Sequence, residues 1–193
     1  DRAIGNALDA IEAAISMEPR EHRHRLEHAG YPTGPQIERI ARLGVITVNQ
    51  PRYLYDSGDE FLTRLGHRAH GLQPLRQELA AGVKVVLSSD SDVASYRPLE
   101  QIASAIERRT RGGAPIGPDQ RLTLEEAMFA YTIDAAFALR LEDRIGSLEP
   151  GKLADVAIID GDVQTTPLED LGSLAAWKTF LDGHLVQDAE ARR

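Results

Sequence analysis

The sequence has no cysteine, so disulfides and thiolate metal sites are both excluded. It also lacks an excess of positive charge, since 22 Lys and Arg against 30 Asp and Glu leave a formal net charge of −8. A nucleic-acid partner needs a basic stripe to meet its phosphates, and that class of function is set aside. No apolar run approaches the roughly 20 residues that a membrane-spanning helix requires. There is no initiating methionine, so Asp1-Arg2-Ala3 carries no reading for or against a leader peptide. Internal repeats and low-complexity segments are absent too. What remains is an ordinary globular composition, 42% hydrophobic and 27% charged over 193 residues. Such a chain can bury a real core, in one large domain or two small ones. A cytoplasmic location is compatible with it.

Hydrophobic spacing organises the chain. Ile4, Leu8, Ile11 and Ile15 recur at helical intervals and predict a helix ending near Ser16. Residues 23–29 read as a short strand, and 36–43 as a helix carrying Ile37, Ile40 and Ala41 that Gly44 stops. Residues 45–48 form a β-branched run typical of a buried strand. Residues 50–70 have no clear period and read as a long loop of functional character. Leu72, Leu75 and Leu79 mark a helix, residues 83–87 a second buried strand, and Leu99, Ile102 and Ile106 another helix. After a Gly/Pro-rich link at 112–118, the capping box Thr123-Leu-Glu-Glu126 opens a helix expected to run to about Arg140.

Strands alternating with helices imply βα units and a parallel sheet. Past Leu141 the character changes: residues 153–159 and 174–181 read as strands, and Asp182-Gly183 as a hairpin turn before 184–186. The expectation is an α/β region over residues 1–140 and a β segment over 141–193. A complete eight-stranded α/β barrel takes about 250 residues, and this chain has room for three of its strands. Three parallel strands leave two open edges, so the chain reads as part of a barrel or as a small open α/β sheet.

Two residues stand where parallel barrels gather their chemistry, at the carboxyl ends of strands: His28 and Asp90. A neutral imidazole is a good ligand for zinc and similar ions. A carboxylate beside such an ion can take a proton from water and deliver it to a leaving amine. Against this stand plainer readings, in which a lone histidine is structural and an aspartate in a Ser/Asp-rich run caps a turn. His22-Arg23-His24 mimics a paired-histidine motif, but Met17-Glu-Pro-Arg-Glu21 before it is no apolar strand, and solvated residues are the better reading. His67 and His70, in an irregular charged stretch, read as surface residues. The glycine-rich run from Ile145 to Asp155 opens no helix, so it cradles no phosphate and is read as a structural turn leading into a strand.

Taken in order, Arg25-Leu-Glu-His28-Ala29, Gln50-Pro51, Ser88-Ser-Asp90-Ser-Asp-Val93 and the Ile145–Asp155 run resemble the C-terminal half of an amidohydrolase-superfamily metal-dependent hydrolase. The branch is that of the N-substituted formamide deformylases, and the resemblance runs nearly end to end. It implies an α/β fold comprising about strands six to eight of a TIM (β/α)8 barrel, followed by part of a small β-sandwich domain. It implies hydrolysis of non-peptide, amide-like C–N bonds of a small molecule through metal-activated water, with a divalent metal, first of all Zn, as one or two ions. It carries over His28 as a metal residue, Asp90 as both metal residue and catalytic residue, and Arg68 as an arginine that meets substrate. The loop after Gln50-Pro51 would shape the pocket. Two departures stand out: Ser88 replaces the family's glycine and Asp92 its proline, adding a charge at the same strand parity as Asp90. The family's remaining ligands would lie upstream of Asp1, so a C-terminal piece is expected that needs its N-terminal half or else self-associates. The alternative is a non-catalytic remnant or binding module that keeps the fold without a complete metal site.

Overall fold

A computed structural model describes residues 1–189. Helix α1 (Arg2–Met17) begins on Asp1, whose side chain caps it, and packs on helix α2 (Gly34–Arg42) after strand β1 (Arg25–Glu27). Arg39 on α2 ties the pair together by reaching both Glu12 and Asp9 of α1. The capping box of Thr33 and Gln36, with Pro35 in the first turn, sets where α2 starts. Strand β2 (Ile46–Asn49) follows, then the short helices α3 (Arg52–Asp56) and α4 (Gly58–Leu65), a 3-10 segment (Gly66–Gly71) and helix α5 (Leu75–Ala80). Strand β3 (Val85–Leu87) leads to α6 (Pro98–Glu107), α7 (Leu124–Tyr131) and α8 (Ile133–Ala138). The remainder comprises β4 (Val156–Ile159), α9 (Leu168–Leu171), β5 (Ala176–Leu181) and β6 (His184–Asp188).

Strands β1, β2 and β3 form one parallel sheet in sequence order, with Leu26 opposite Thr47 and Val48 opposite Val86. Its two faces are packed differently. Val45, Val85 and Leu87 join Leu8, Ile37, Ile40, Leu75, Leu99 and Ile102 in the main core. Ile46, Val48 and Val86 form a smaller cluster under Ala135, Phe137 and Ala138 of α8. With both faces of β2 and β3 covered, continuous apolar runs are what these strands require. The exceptions are Thr47 and Asn49, whose side chains both donate to Oε2 of the fully buried Glu78. Burial pushes that carboxyl up to about 7, against the two hydrogen bonds that lower it.

Strands β4, β5 and β6 make a separate antiparallel sheet. The Ile145–Asp155 run anchors it. Gly146, at φ +93°, lies where a Cβ would come within 2.6 Å of Ala136 Cβ, and Asp155 Oδ1 accepts the Asp182 N–H at 2.8 Å, pinning the β5–β6 turn to the start of β4. Ile159, Val163, Leu168 and Leu174 pack on the main core, where Leu171 is buried.

The structure corrects two expectations. Residues 50–70 are helical rather than a loop; each piece makes only one or two turns, too few to print a period on the sequence. The helix from Thr123 breaks at Thr132, whose φ of −122° and ψ of −79° leave the helical region. Thr132 Oγ1 donates to the Met128 carbonyl at 2.7 Å, a back-bond that bends helices. Among the described residues no helix is long and apolar enough to cross a membrane.

Candidate functional site

Each strand of the parallel sheet hands one side chain to the same place. His28 still follows the ladder, its N–H reaching the Val48 carbonyl at 3.1 Å, and then turns the chain with φ +56°. Asp90 follows β3 and does the same with φ +51°. Positive φ is uncommon outside glycine and collects at functional sites, where the surroundings hold such backbone in place. From β2 the chain passes through Gln50 and Pro51 into α3, which delivers Tyr53.

These three side chains meet. His28 Nε2 lies 3.8 Å from Asp90 Oδ2, and the Tyr53 hydroxyl donates to that same carboxylate oxygen. The His28 and Tyr53 rings are parallel, 5° apart in plane with centroids 6.3 Å apart. Burial, followed by the bond to Asp90, pushes the Tyr53 phenol up to about 12, so it is a donor at neutral pH. The side chains of His28 and Asp90 are 51% and 37% exposed, open to a small molecule from solvent.

Buried groups hold the strand ends in register. Gln50 donates to Ser88 Oγ at 2.9 Å and accepts from Gln73 at its own carbonyl, also at 2.9 Å. Ser88, one of the departures noted in the sequence, thus has work to do: its hydroxyl links the ends of β2 and β3. Asp92, the other, is exposed. It lines a polar cleft of about 570 Å³ with Arg52, Asp56, Ser95, Tyr96 and Arg111, next to the Asp90 turn, and accepts from Ser91 Oγ at 3.1 Å.

The remaining candidates lie elsewhere. His22 and His24 stack on each other with centroids 4.9 Å apart, at the opposite end of β1, where the His24 carbonyl accepts from Ile46 N. They are not in a strand. His70 Nδ1 accepts the Gly117 N–H at 3.1 Å, fixing a turn, and the Arg68 guanidinium sits 5.6 Å from the Tyr31 ring centroid. Among the described residues no three His, Asp or Glu side chains form a metal-binding group. Sequence reasoning missed Tyr53; the signal for it was its place just past the carboxyl end of a buried strand.

Comparison with known proteins gives a consistent picture. The profile of the Amidohydrolase family matches residues 1–187. The chain is 36% identical over 185 residues to N-substituted formamide deformylase of Arthrobacter pascens, covering 95% of this chain and 34% of that protein. It is 35% identical over 163 residues to Protein LONG AFTER FAR-RED 3 of Arabidopsis thaliana, covering 82% and 28% respectively. Among solved structures, an uncharacterized metal-dependent hydrolase from Pyrococcus horikoshii superimposes with a TM-score of 0.68 at 27% identity, over 79% of this chain and 30% of that one. The chain thus spans about a third of the length of these relatives.

Proposed function

Because the chain belongs to the amidohydrolase family, we propose that it is part of a hydrolase that cleaves non-peptide, amide-like C–N bonds of a small molecule with the help of a divalent metal. One observation carries this reading: His28 and Asp90, far apart in sequence, are brought from the ends of β1 and β3 to within 3.8 Å. Their donor types, an imidazole nitrogen and a carboxylate oxygen, suit zinc, as one ion or two. His28 would offer Nε2 and Asp90 its carboxylate. When bound, the metal supplies Lewis acidity and a more acidic water. Asp90 moves the proton: Oδ1, the oxygen that Tyr53 does not hold, takes it from the attacking water and passes it to the nitrogen of the breaking C–N bond. The amine then leaves neutral and Asp90 returns to its carboxylate form.

In this reading residues 1–140 are about strands six to eight of a (β/α)8 barrel, and 141–193 are part of a small β-sandwich domain, of which 190–193 lie outside the described residues. The parallel order of β1, β2 and β3 supports it, as does the length of the relatives. Zinc in a catalytic site takes three protein ligands plus water, so further ligands come from outside these residues. Ile158, Leu181, Leu185 and Val186, exposed on the antiparallel strands, would be covered by the rest of the protein or by a second copy.

A second reading, a binding module without chemistry, is favoured by the lack of a three-ligand group among the described residues. Replacing Asp90 by Asn in the full-length protein separates the two, assayed first with an N-substituted formamide and other small amides. The amide cannot shuttle a proton, so turnover should fall by at least about a hundredfold with the thermal midpoint unchanged, while Asp92→Asn costs only a few-fold. Unchanged turnover in Asp90→Asn would overturn the role given to Asp90. A wild-type protein that binds no metal and cleaves no amide would favour the second reading.

A further inference from the structure

We propose that Tyr53 is a positioning residue of this site, its phenol fixing the Asp90 carboxylate while its ring faces His28, and that buried Gln101 holds Tyr53 in place. The proposal rests on the reading that His28 and Asp90 hold a metal. Asp90 is partly exposed and lies past the end of β3, so its carboxylate is free to rotate unless something holds it. The Tyr53 O–H, donating to Oδ2, makes a charge-assisted bond, stronger than a neutral one. It engages one oxygen and leaves the other facing the chemistry. The parallel ring, at 6.3 Å between centroids, falls within the spacing of offset aromatic pairs and limits the His28 imidazole on that side. One residue on α3, just past β2, thus sets the aim of one that follows β1 and one that follows β3.

Helix α3 has only 5 residues, too few to hold a side chain steady by itself. Gln101, fully buried on α6, supplies what it lacks. Its Oε1 accepts the Arg52 N–H at 3.2 Å and its Nε2 donates to the Ser95 carbonyl at 2.9 Å. A single side chain therefore joins the first residue of α3 to the segment that follows Asp90. Burying an amide is costly unless both its ends are satisfied, and here each end is spent on one of the two elements whose separation matters.

Tyr53→Phe in the full-length protein keeps the ring and removes the O–H. Outer partners of metal ligands typically contribute about 10–100-fold to affinity or activity. The expected result is a kcat lower by about tenfold or more, a KM changed by less than about twofold, and a zinc dissociation constant, read by chelator competition, raised about tenfold. Gln101→Leu should move the same quantities in the same direction by less. Tyr53→His, which restores an N–H donor on a ring, should recover part of the loss. Wild-type kcat and zinc affinity in Tyr53→Phe, with Asp90→Asn inactive, would overturn the positioning role and leave the site reading standing. Wild-type values in Asp90→Asn would remove the site reading and this proposal with it. No recovery in Tyr53→His, with the thermal midpoint lowered in both Tyr53 variants, would mark the residue as structural only and likewise overturn the proposal.

Discussion

Strands β2 and β3 of the parallel sheet are buried at every position, whereas β4, β5 and β6 of the antiparallel sheet have no buried residue. Both sheets have three strands, so the difference comes from what covers them. Helices lie over both faces of β2 and β3, while the antiparallel strands touch the core mainly through Ile159 and the segment around α9. A catalytic constellation needs supports that do not move. Tyr53 and Asp90 follow the two covered strands and His28 follows β1, whose Arg25 and Glu27 are exposed, while no candidate site residue comes from the antiparallel sheet. The antiparallel strands instead carry exposed Leu181, Leu185 and Val186, apolar side chains suited to contact and not to chemistry.

Truncating one apolar residue in each region tests that contrast most severely. Ile40 is fully buried between α2 and the sheet, and Ile40→Ala should cost about 2–5 kcal/mol, the transfer of the lost methyl and methylene groups plus the cavity left behind. Leu185 is 50% exposed, and Leu185→Ala should stay within about 0.5 kcal/mol. Urea unfolding of both variants in the same protein gives the comparison directly. Comparable losses would mean that Leu185 is covered in solution, and the contrast between the sheets would be one of assembly and not of fold.

The contrast was partly legible in the sequence. The runs at 45–48 and 83–87 are apolar without alternation, as strands covered on both faces must be, and their parallel pairing followed from the helices between them. His28 and Asp90 were singled out because each follows a strand end and because the resemblance to the family points to them. Tyr53 and Gln101 were not, because their roles depend on distances between segments rather than on local pattern: Tyr53 reaches Asp90 across 37 positions, and Gln101 reaches Arg52 across 49. The short helices of 52–65 escaped because 5 and 8 residues are too few to show a period, and Gly58 opens the second of them for a reason of packing. Gly58 lies where a Cβ would come within 2.6 Å of Thr110 Cγ2.

Acidity sharpens the comparison further, because among the described residues the fully buried carboxyl, Glu78, lies in the parallel region. Glu78 has its ordinary value of 4.5 in the unfolded chain and about 7 in the folded one. Below 4.5 both states hold the proton and Glu78 adds no pH dependence. As pH rises toward 7 the unfolded state ionises first, so the native state loses stability, and above 7 the loss is complete at about 3 kcal/mol. Glu126 works in the opposite sense and in another window: Arg76 holds it at about 2, so its contribution is lost only as pH falls from 4.5 toward 2. Glu78→Gln keeps an acceptor for Thr47 and Asn49 and cannot ionise. Urea unfolding at pH 5 and pH 8 should show the wild type losing about 2–3 kcal/mol relative to the Gln variant, since part of the loss has already occurred by pH 5. Parallel pH profiles for the two proteins would show that Glu78 is not the buried titrating group.

The smallest expected effect concerns the joint between the two sheets. Arg97, just before α6, donates through one guanidinium nitrogen to the carbonyls of Ser173 and Leu174, each at 3.0 Å. Those carbonyls lie immediately ahead of β5, so Arg97 ties the antiparallel sheet to a helix of the parallel region. The Arg97 side chain is 38% exposed, and water can replace it at the carbonyls, so Arg97→Ala should cost about 1 kcal/mol. If the two sheets open independently, that cost falls on one of them. Amide hydrogen exchange should speed up about fivefold in β4, β5 and β6 and stay unchanged in β2 and β3. Arg97→Lys, whose strongly hydrated ammonium on a flexible stem replaces the planar guanidinium, should fall between. Equal acceleration in both sheets would show that they unfold as one cooperative unit, and the difference in burial would then have no counterpart in local stability.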